Sequence, residues 1–255
     1  GFIGFETIVL YKKWSEEKIK QLSILSNLIA QGLAKVKDQK KIEYMAYYDA
    51  LTTLPNRFLF KERTNQAIGL AKQNEEQIAV IFIDLDNFKS VNDAIGHKGG
   101  DELLKEVAKK LQESVGKTVT VARFGGDEFM MLLNNIENEE DIFKLGDKIM
   151  GLFTQPFNIQ GQDFLVTGSA GISVYPIDGE DADTLIKNAD AAMYKAKENG
   201  KNQYALCTAE LKEEVEMSMM LLNDLSGAIE RKELVVYYQP QIDIATGRIN
   251  GLEAL

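Results

Sequence analysis

The 255-residue sequence contains a single cysteine, Cys207, and a single histidine, His97. One cysteine excludes a disulfide framework and a cysteine-based zinc site. One histidine excludes a histidine-rich metal centre built from this chain alone. Basic charge is also short, with 29 Lys and Arg against 39 Asp and Glu and a net charge of −10. Such a chain does not suit general electrostatic binding of a nucleic-acid duplex, and any anionic substrate would need a metal ion and a few placed cations. No apolar run approaches the ~20 residues of a membrane-spanning helix, and no signal peptide is visible, so direct membrane insertion is not expected. What is present is ordinary globular material, 45% hydrophobic and 27% charged. That balance excludes disorder, collagen-like structure and low complexity, and supports one large domain or one domain with attached fragments. The expectation is a soluble, cytoplasmic chain.

The order of patterns along the chain divides it into three. Residues 1–12 read as a short apolar strand without a partner nearby in sequence. Ser15 then starts a helix as N-cap, with Glu16 and Glu17 in its first turn. Leu22, Leu25, Ile29, Leu33 and Val36, spaced 3, 4, 4 and 3, form one stripe on a long helix reaching about residue 48. The stripe suits either packing on its own domain or the seam of a short parallel coiled coil. From residue 49 to 206 helical and strand patterns alternate. Helices are expected at 55–74, 87–95, 101–115, 139–154 and 183–199, with a glycine-containing turn at 96–100. Strands are expected at 77–84, 118–124, 128–133, 157–159, 164–175 and 203–206, the second and third joined tightly through Gly125-Gly126-Asp127. A polar helix follows from residue 208 to about 232. It leads into a strand at 234–239 and a hairpin turning near Thr246-Gly247. Both ends read as pieces of neighbouring domains of a longer protein.

Several chemical motifs fail. Gly116-Lys117-Thr118 resembles the end of a P-loop, but Leu111 stands where glycine is required. Asp84-Leu85-Asp86 begins like an EF-hand loop, yet Phe88 and Lys89 occupy positions that need an oxygen ligand and a glycine. What remains is a set of carboxylates. Asp84 and Asp86 end a buried strand, and Asp127 and Glu128 follow the Gly-Gly turn. If those strands are neighbours, Asp84 and Asp127 can converge on one hard cation with Glu128 close by, a donor set suited to Mg²⁺. Otherwise they are solvated acids at strand ends.

Arg123-Phe124-Gly125-Gly126-Asp127-Glu128-Phe129 resembles the signature of the GGDEF domain, the diguanylate cyclase family. Three further stretches resemble it as well: Asp49-Ala-Leu-Thr-Thr-Leu-Pro-Asn-Arg57, the run from Asp84 to Asp93 with Gly96-His97 and Gly100-Asp101, and the run from Asp190 to Asn202. The resemblance covers residues 47–207. It implies an α+β fold with a central, mostly antiparallel sheet flanked by helices, like the nucleotide-cyclase and polymerase palm, preceded here by the long N-terminal helix.

The resemblance also implies roles. Asp84, Asp127 and the Leu85 carbonyl would bind Mg²⁺, with Mn²⁺ as the alternative ion. Glu128 would add a metal ligand or help deprotonate the attacking 3′-hydroxyl, which makes Asp127 and Glu128 the catalytic pair. Asn92 and Asp101 would hydrogen-bond guanine and so select GTP over ATP, since a polar site rejects a base that leaves it unpaired. Lys197 and Lys201, four residues apart and read as one helical turn apart, would neutralise the terminal phosphates. The backbone N–H groups of Phe88 and Lys89 would cradle the same phosphates, and Gly125 and Gly126 would let nucleotide and backbone approach closely. His97 either orders its own loop or contacts the nucleotide.

A diguanylate cyclase joins two GTP molecules, one from each of two domains, so a homodimer is implied. Gly116 and Val119 stand where many members carry an Arg-x-x-Asp inhibition site, so feedback of that type is not expected. Lys201 stands where arginine is common, which keeps the charge and loses the bidentate fork. Residues 208–255, with Tyr238-Gln239-Pro240-Gln241 and Glu253-Ala254-Leu255, resemble the start of an EAL phosphodiesterase domain. Too few of that domain's ligands are present for activity. Residues 1–46 resemble the end of a GAF sensory domain and its linker helix. The alternative function is a catalytically silent, GTP-binding domain that controls an adjacent EAL phosphodiesterase.

Overall fold

The computed structural model describes residues 15–116, 119–136, 138–225, 227–228, 231–233 and 235–255. The strand expected within residues 1–12 lies outside them, as do Thr118 and Leu234 at the starts of two other expected strands. The chain divides into two units between Leu206 and Cys207.

In the first unit, α1 (Glu16–Tyr47) starts where Ser15 accepts a hydrogen bond from the Lys18 N–H. Helix α2 (Arg57–Asn74) is capped by Asn56, whose Oδ1 accepts from the N–H groups of Phe58 and Leu59, so the helix begins after Pro55 rather than at it. Then follow β1 (Gln77–Leu85), α3 (Phe88–Ser114), β2 (Thr120–Gly125), β3 (Glu128–Ile136) and α4 (Glu139–Leu152). The unit closes with β4 (Phe157–Ile159), β5 (Gln162–Phe164), β6 (Gly168–Tyr175), α5 (Ala182–Glu198) and β7 (Tyr204–Leu206).

Five strands form one sheet in the order β2-β3-β1-β6-β7, antiparallel except for the parallel pair β6–β7. The central strand β1 explains its own unbroken apolar run. Ala79, Ile81, Ile83 and Leu85 face α3 and α4, packing with Leu103, Val107, Leu111 and Ile149. Ile78, Val80 and Phe82 face α2 and α5, packing with Phe60, Ile68, Leu185 and Met193. With helices on both faces, alternation in direction no longer requires alternation in polarity. Asp84 falls on the second face by the same parity, and that places it under α5.

The approach of α5 to the sheet is set by Gly171 on β6. A Cβ there would overlap the Ala189 carbonyl oxygen and the Met193 nitrogen, both backbone atoms of α5. Gly171→Ala is therefore expected to cost about 2–3 kcal/mol and to lower Tm by roughly 5–10 °C, read by thermal unfolding. An unchanged Tm would mean that α5 can move off the sheet freely.

Further element boundaries differ from expectation, including the strand expected at 234–239, which starts only at Tyr238. The turn expected over residues 96–100 shrinks to Gly96 (φ 74°, ψ 165°), and helix resumes at once with Gly99 and Gly100 buried. The strand expected over 164–175 is two strands. Phe164 pairs with Phe157 in a separate hairpin, turned by Gln160 (φ 54°) and Gly161 (φ 82°), and β6 starts only at Gly168. Positive φ at both central residues is the pattern of a two-residue hairpin turn. In the second unit, α6 (Ala209–Leu225) ends well before residue 232, ahead of Gly227, a poor helix former. Two strands, β8 (Tyr238–Ile242) and β9 (Ile249–Ala254), form an antiparallel hairpin with Gly247 at φ 65°.

Candidate functional site

The end of β1 brings the acidic residues together. Asp84 pairs with Glu128 of β3 on one side and with Ser169 of β6 on the other. Asp127 lies on the turn between β2 and β3, and its carbonyl accepts from the Leu85 N–H at 3.3 Å, which stitches the turn to the strand end. Gly126 has φ +49°, the left-handed region that favours glycine, and a Cβ on Gly125 or Gly126 would meet nothing within 4 Å. The turn thus presents bare backbone to open space.

Arg123 holds that turn from behind. Its Nε and Nη2 donate to the Gly126 carbonyl at 3.1 and 2.6 Å. Its Nη1 donates to both oxygens of Asp49, at 3.0 and 3.2 Å. Asp49 also accepts from the N–H and hydroxyl of Thr52. Burial pushes the Asp49 carboxyl up, but the hydrogen bonds from Thr52 and Arg123 outweigh it and hold the group below its usual range.

Two cations reach the strand end, one from the last turn of α5 and one from the turn that follows it. Lys197 Nζ lies 2.7 Å from Asp84 Oδ1, and Lys201 Nζ donates to Asn87 Oδ1 at 2.8 Å. The helical spacing expected for this pair is corrected: α5 ends at Glu198, Gly200 turns the chain (φ 113°), and Lys201 itself has φ 63°. A helix closed by a left-handed glycine cannot carry the next residues on its face. The lysines converge on residues 84–87 by different routes.

Asp86 is the residue whose role the sequence left unread. It is buried, and its carboxylate accepts from Ser169 Oγ at 2.8 Å, Thr167 Oγ1 at 2.8 Å and the Asn202 N–H at 3.1 Å. It braces the strand end against β6 and the turn after α5. Asp190, for which the sequence alone assigned no role of its own, sits on α5, and its charge helps raise Glu128.

Asp84 and Glu128 titrate high. Burial raises the Asp84 carboxyl, Lys197 opposes the shift, and Asp127 and Asp86 add to it. Burial also raises Glu128, reinforced by Asp84, Asp190 and Asp127 and opposed by Lys197. A carboxyl raised on folding weakens the native state once ionised and relieves it as pH falls through the folded pKa. In metal-free buffer, stability should therefore rise as pH is lowered towards the range just above the ordinary 4.5 of Glu128. Glu128→Gln should flatten that profile and raise Tm at pH 7 by about 1–2 °C, measured by thermal melts across pH. A lower Tm would mean that the Glu128 charge is stabilising.

The remaining candidates lie along the first part of α3. Ser90 and Val91 are the first donors to the Asn87 carbonyl, which leaves the Phe88 and Lys89 N–H groups at the helix N-terminus. Asn92 is half-buried against Gly100, whereas His97 and Asp101 are exposed. Leu85 is buried in the core by its side chain.

A palm-like cyclase fold is the class that this sheet, its two helical layers and the acidic turn define. The family model described as diguanylate cyclase, GGDEF domain, matches residues 46–203, and the chain belongs to that family. The bifunctional diguanylate cyclase/cyclic di-GMP phosphodiesterase MucR of Pseudomonas aeruginosa is 40% identical over 235 residues, covering 92% of this chain and 34% of MucR. The cyclic di-GMP phosphodiesterase PdeR of Escherichia coli is 36% identical over 217 residues, 85% of this chain and 32% of PdeR. The chain thus spans about a third of the length of these curated relatives. Among solved structures, a truncation of TpbB (YfiN) from Pseudomonas aeruginosa comprising only the GGDEF domain aligns with a TM-score of 0.65 at 33% identity, covering 67% of this chain and 99% of that one.

Diguanylate cyclases of this family generally use divalent metal ions. Among the described residues no three His, Cys, Asp or Glu side chains form a ready-made metal cage. The donors present are hard oxygens, and burial, with neighbouring carboxylates adding to it, raises Asp84 and Glu128. One or two carboxylates completed by substrate phosphates is the usual provision for Mg²⁺, and these residues fit it. Among the described residues no helix is long and apolar enough to cross a membrane.

Proposed function

We propose that residues 47–207 form a diguanylate cyclase domain that condenses two GTP into cyclic di-GMP and two pyrophosphates across a homodimer in the cytoplasm. The observation that carries this reading is the strand end where Asp84 and Glu128 stand in register, beside Asp127 on an open glycine turn. An ion held by Asp84, Asp127 and the Leu85 carbonyl, with Glu128 near, would supply neutralisation of phosphate charge. Asn92 and Asp101 read the guanine edge. Lys197, Lys201 and the N–H groups of Phe88 and Lys89 grip the terminal phosphates, with His97 at the edge of the nucleotide. Lys197 exchanges its Asp84 partner for phosphate oxygens.

Glu128, whose carboxyl titrates high, takes the proton from the 3′-hydroxyl. The 3′-oxygen bonds to the α-phosphorus of the nucleotide on the facing domain, and the bond from that phosphorus to pyrophosphate breaks. A second, symmetric transfer closes the ring. Because one domain supplies one nucleotide, α1 has the task of pairing and orienting two copies. Residues 1–46 are proposed as the end of a GAF-like domain with this linker helix, and 208–255 as the start of an EAL domain.

The test is incubation with GTP and Mg²⁺, following products by chromatography over a protein-concentration series. Cyclic di-GMP with pyrophosphate, at a specific activity that rises with concentration, supports a dimer-dependent cyclase. Bound but unconverted GTP at every concentration supports the second reading, a silent GTP-binding regulator of a phosphodiesterase. That reading is favoured by the similarity to PdeR, whose name gives only the phosphodiesterase.

A further inference from the structure

Helix α3 folds back on itself at Gly96, and the two segments touch through Gly99 and Gly100, both buried. The two glycines face different neighbours. A Cβ on Gly99 would fall 2.7–2.9 Å from three side-chain atoms of Ile95, so that glycine makes room for the Ile95 side chain. A Cβ on Gly100 would land inside the Asn92 Oδ1 atom, with the Asn92 Cγ at 2.9 Å and the Phe88 Cζ at 3.3 Å. We propose that Gly100 is a positioning residue for base selection: its missing side chain is the seat that holds the Asn92 amide in the orientation that reads guanine. This rests on the nucleotide-site reading above and goes beyond it, because it assigns the origin of selectivity to a residue that touches no substrate.

The chemistry follows from what each atom can do. The amide of Asn92 is the far end of a flexible side chain, so an added methyl at position 100 is relieved by swinging that amide away. The helix itself gains from the change, since alanine is a better helix former than glycine. Displacing the amide leaves guanine short of one neutral hydrogen-bond partner, a loss of about five- to tenfold in affinity. Adenine, which the amide does not serve, loses nothing, so the preference for guanine shrinks by the same factor.

The experiment uses the whole 255-residue chain and calorimetric binding of 3′-deoxy-GTP and 3′-deoxy-ATP, which lack the attacking hydroxyl and bind without reacting. Gly100→Ala and Asn92→Ala are each expected to weaken 3′-deoxy-GTP by about five- to tenfold and to leave 3′-deoxy-ATP unchanged. The double variant is expected to be no weaker than either single one, the non-additivity of two changes acting through one group. Full additivity, or wild-type binding by Gly100→Ala beside a weakened Asn92→Ala, overturns the role of Gly100 alone. Unchanged binding by Asn92→Ala overturns the guanine-site reading and this inference with it. Should Gly100→Ala not fold, a folded double variant would support the clash with Asn92. An unfolded double variant would show that the backbone itself demands glycine and overturn the inference.

Discussion

Asp127→Asn is expected to lower cyclic di-GMP formation by about 100- to 1,000-fold while the protein keeps its fold and melts no lower than the parent. The magnitude is that of removing one charged group aimed at a reacting phosphate in a preorganised site. The fold is spared because, among the described residues, the Asp127 contact that holds the turn is made by its backbone rather than its carboxylate. The turn is held by its backbone, through the Leu85 N–H on the Asp127 carbonyl, and by Arg123 on the Gly126 carbonyl. The check pairs a product assay with a thermal melt on the same preparation. Turnover retained within a few-fold would remove Asp127 from the site.

Asp86→Ala should do the reverse, with its main effect on stability. Three donors converge on this buried carboxylate, from Thr167, Ser169 and Asn202. Removing it leaves all three without their acceptor, and hydrogen bonds to charged groups are the strong ones. The expected loss is about 3 kcal/mol, or roughly 6–12 °C in Tm. Asp86→Asn keeps the shape but turns an NH₂ towards a donor, and it should fall between the two. Chemical denaturation read by circular dichroism separates the three proteins. An Asp86→Ala protein as stable as the parent would mean that water replaces the carboxylate at no cost.

What the sequence disclosed was local or carried by a compact pattern. The apolar run of β1, the Ser15 cap and the acids flanking the Gly-Gly turn are all readable within a few residues of one another. The boundaries that moved did so for tertiary reasons. Residue 97 continues a helix because Gly99 and Gly100 let the second segment pack under the first, and a glycine-rich stretch read alone looks like a turn. Lys201 left the expected helical face because Gly200 ends α5 first. The Asp86 brace joins residues up to 116 positions apart, and the Arg123–Asp49 pair spans 74. No periodicity encodes either, since both depend on which strands become neighbours.

The edges of the sheet carry a consequence for how two copies can meet. If the proposed cyclase pairs two copies face to face, such a protein risks joining through exposed strands instead. Here β2 ends the sheet on one side, and the Arg123 N–H on its outer edge is taken by the Pro55 carbonyl of the loop that follows α1. On the other side β7 is three residues long. One occupied N–H on β2 and a three-residue β7 reduce the template for strand addition, so under the proposed dimeric reading pairing would fall to side-chain surfaces that can separate again.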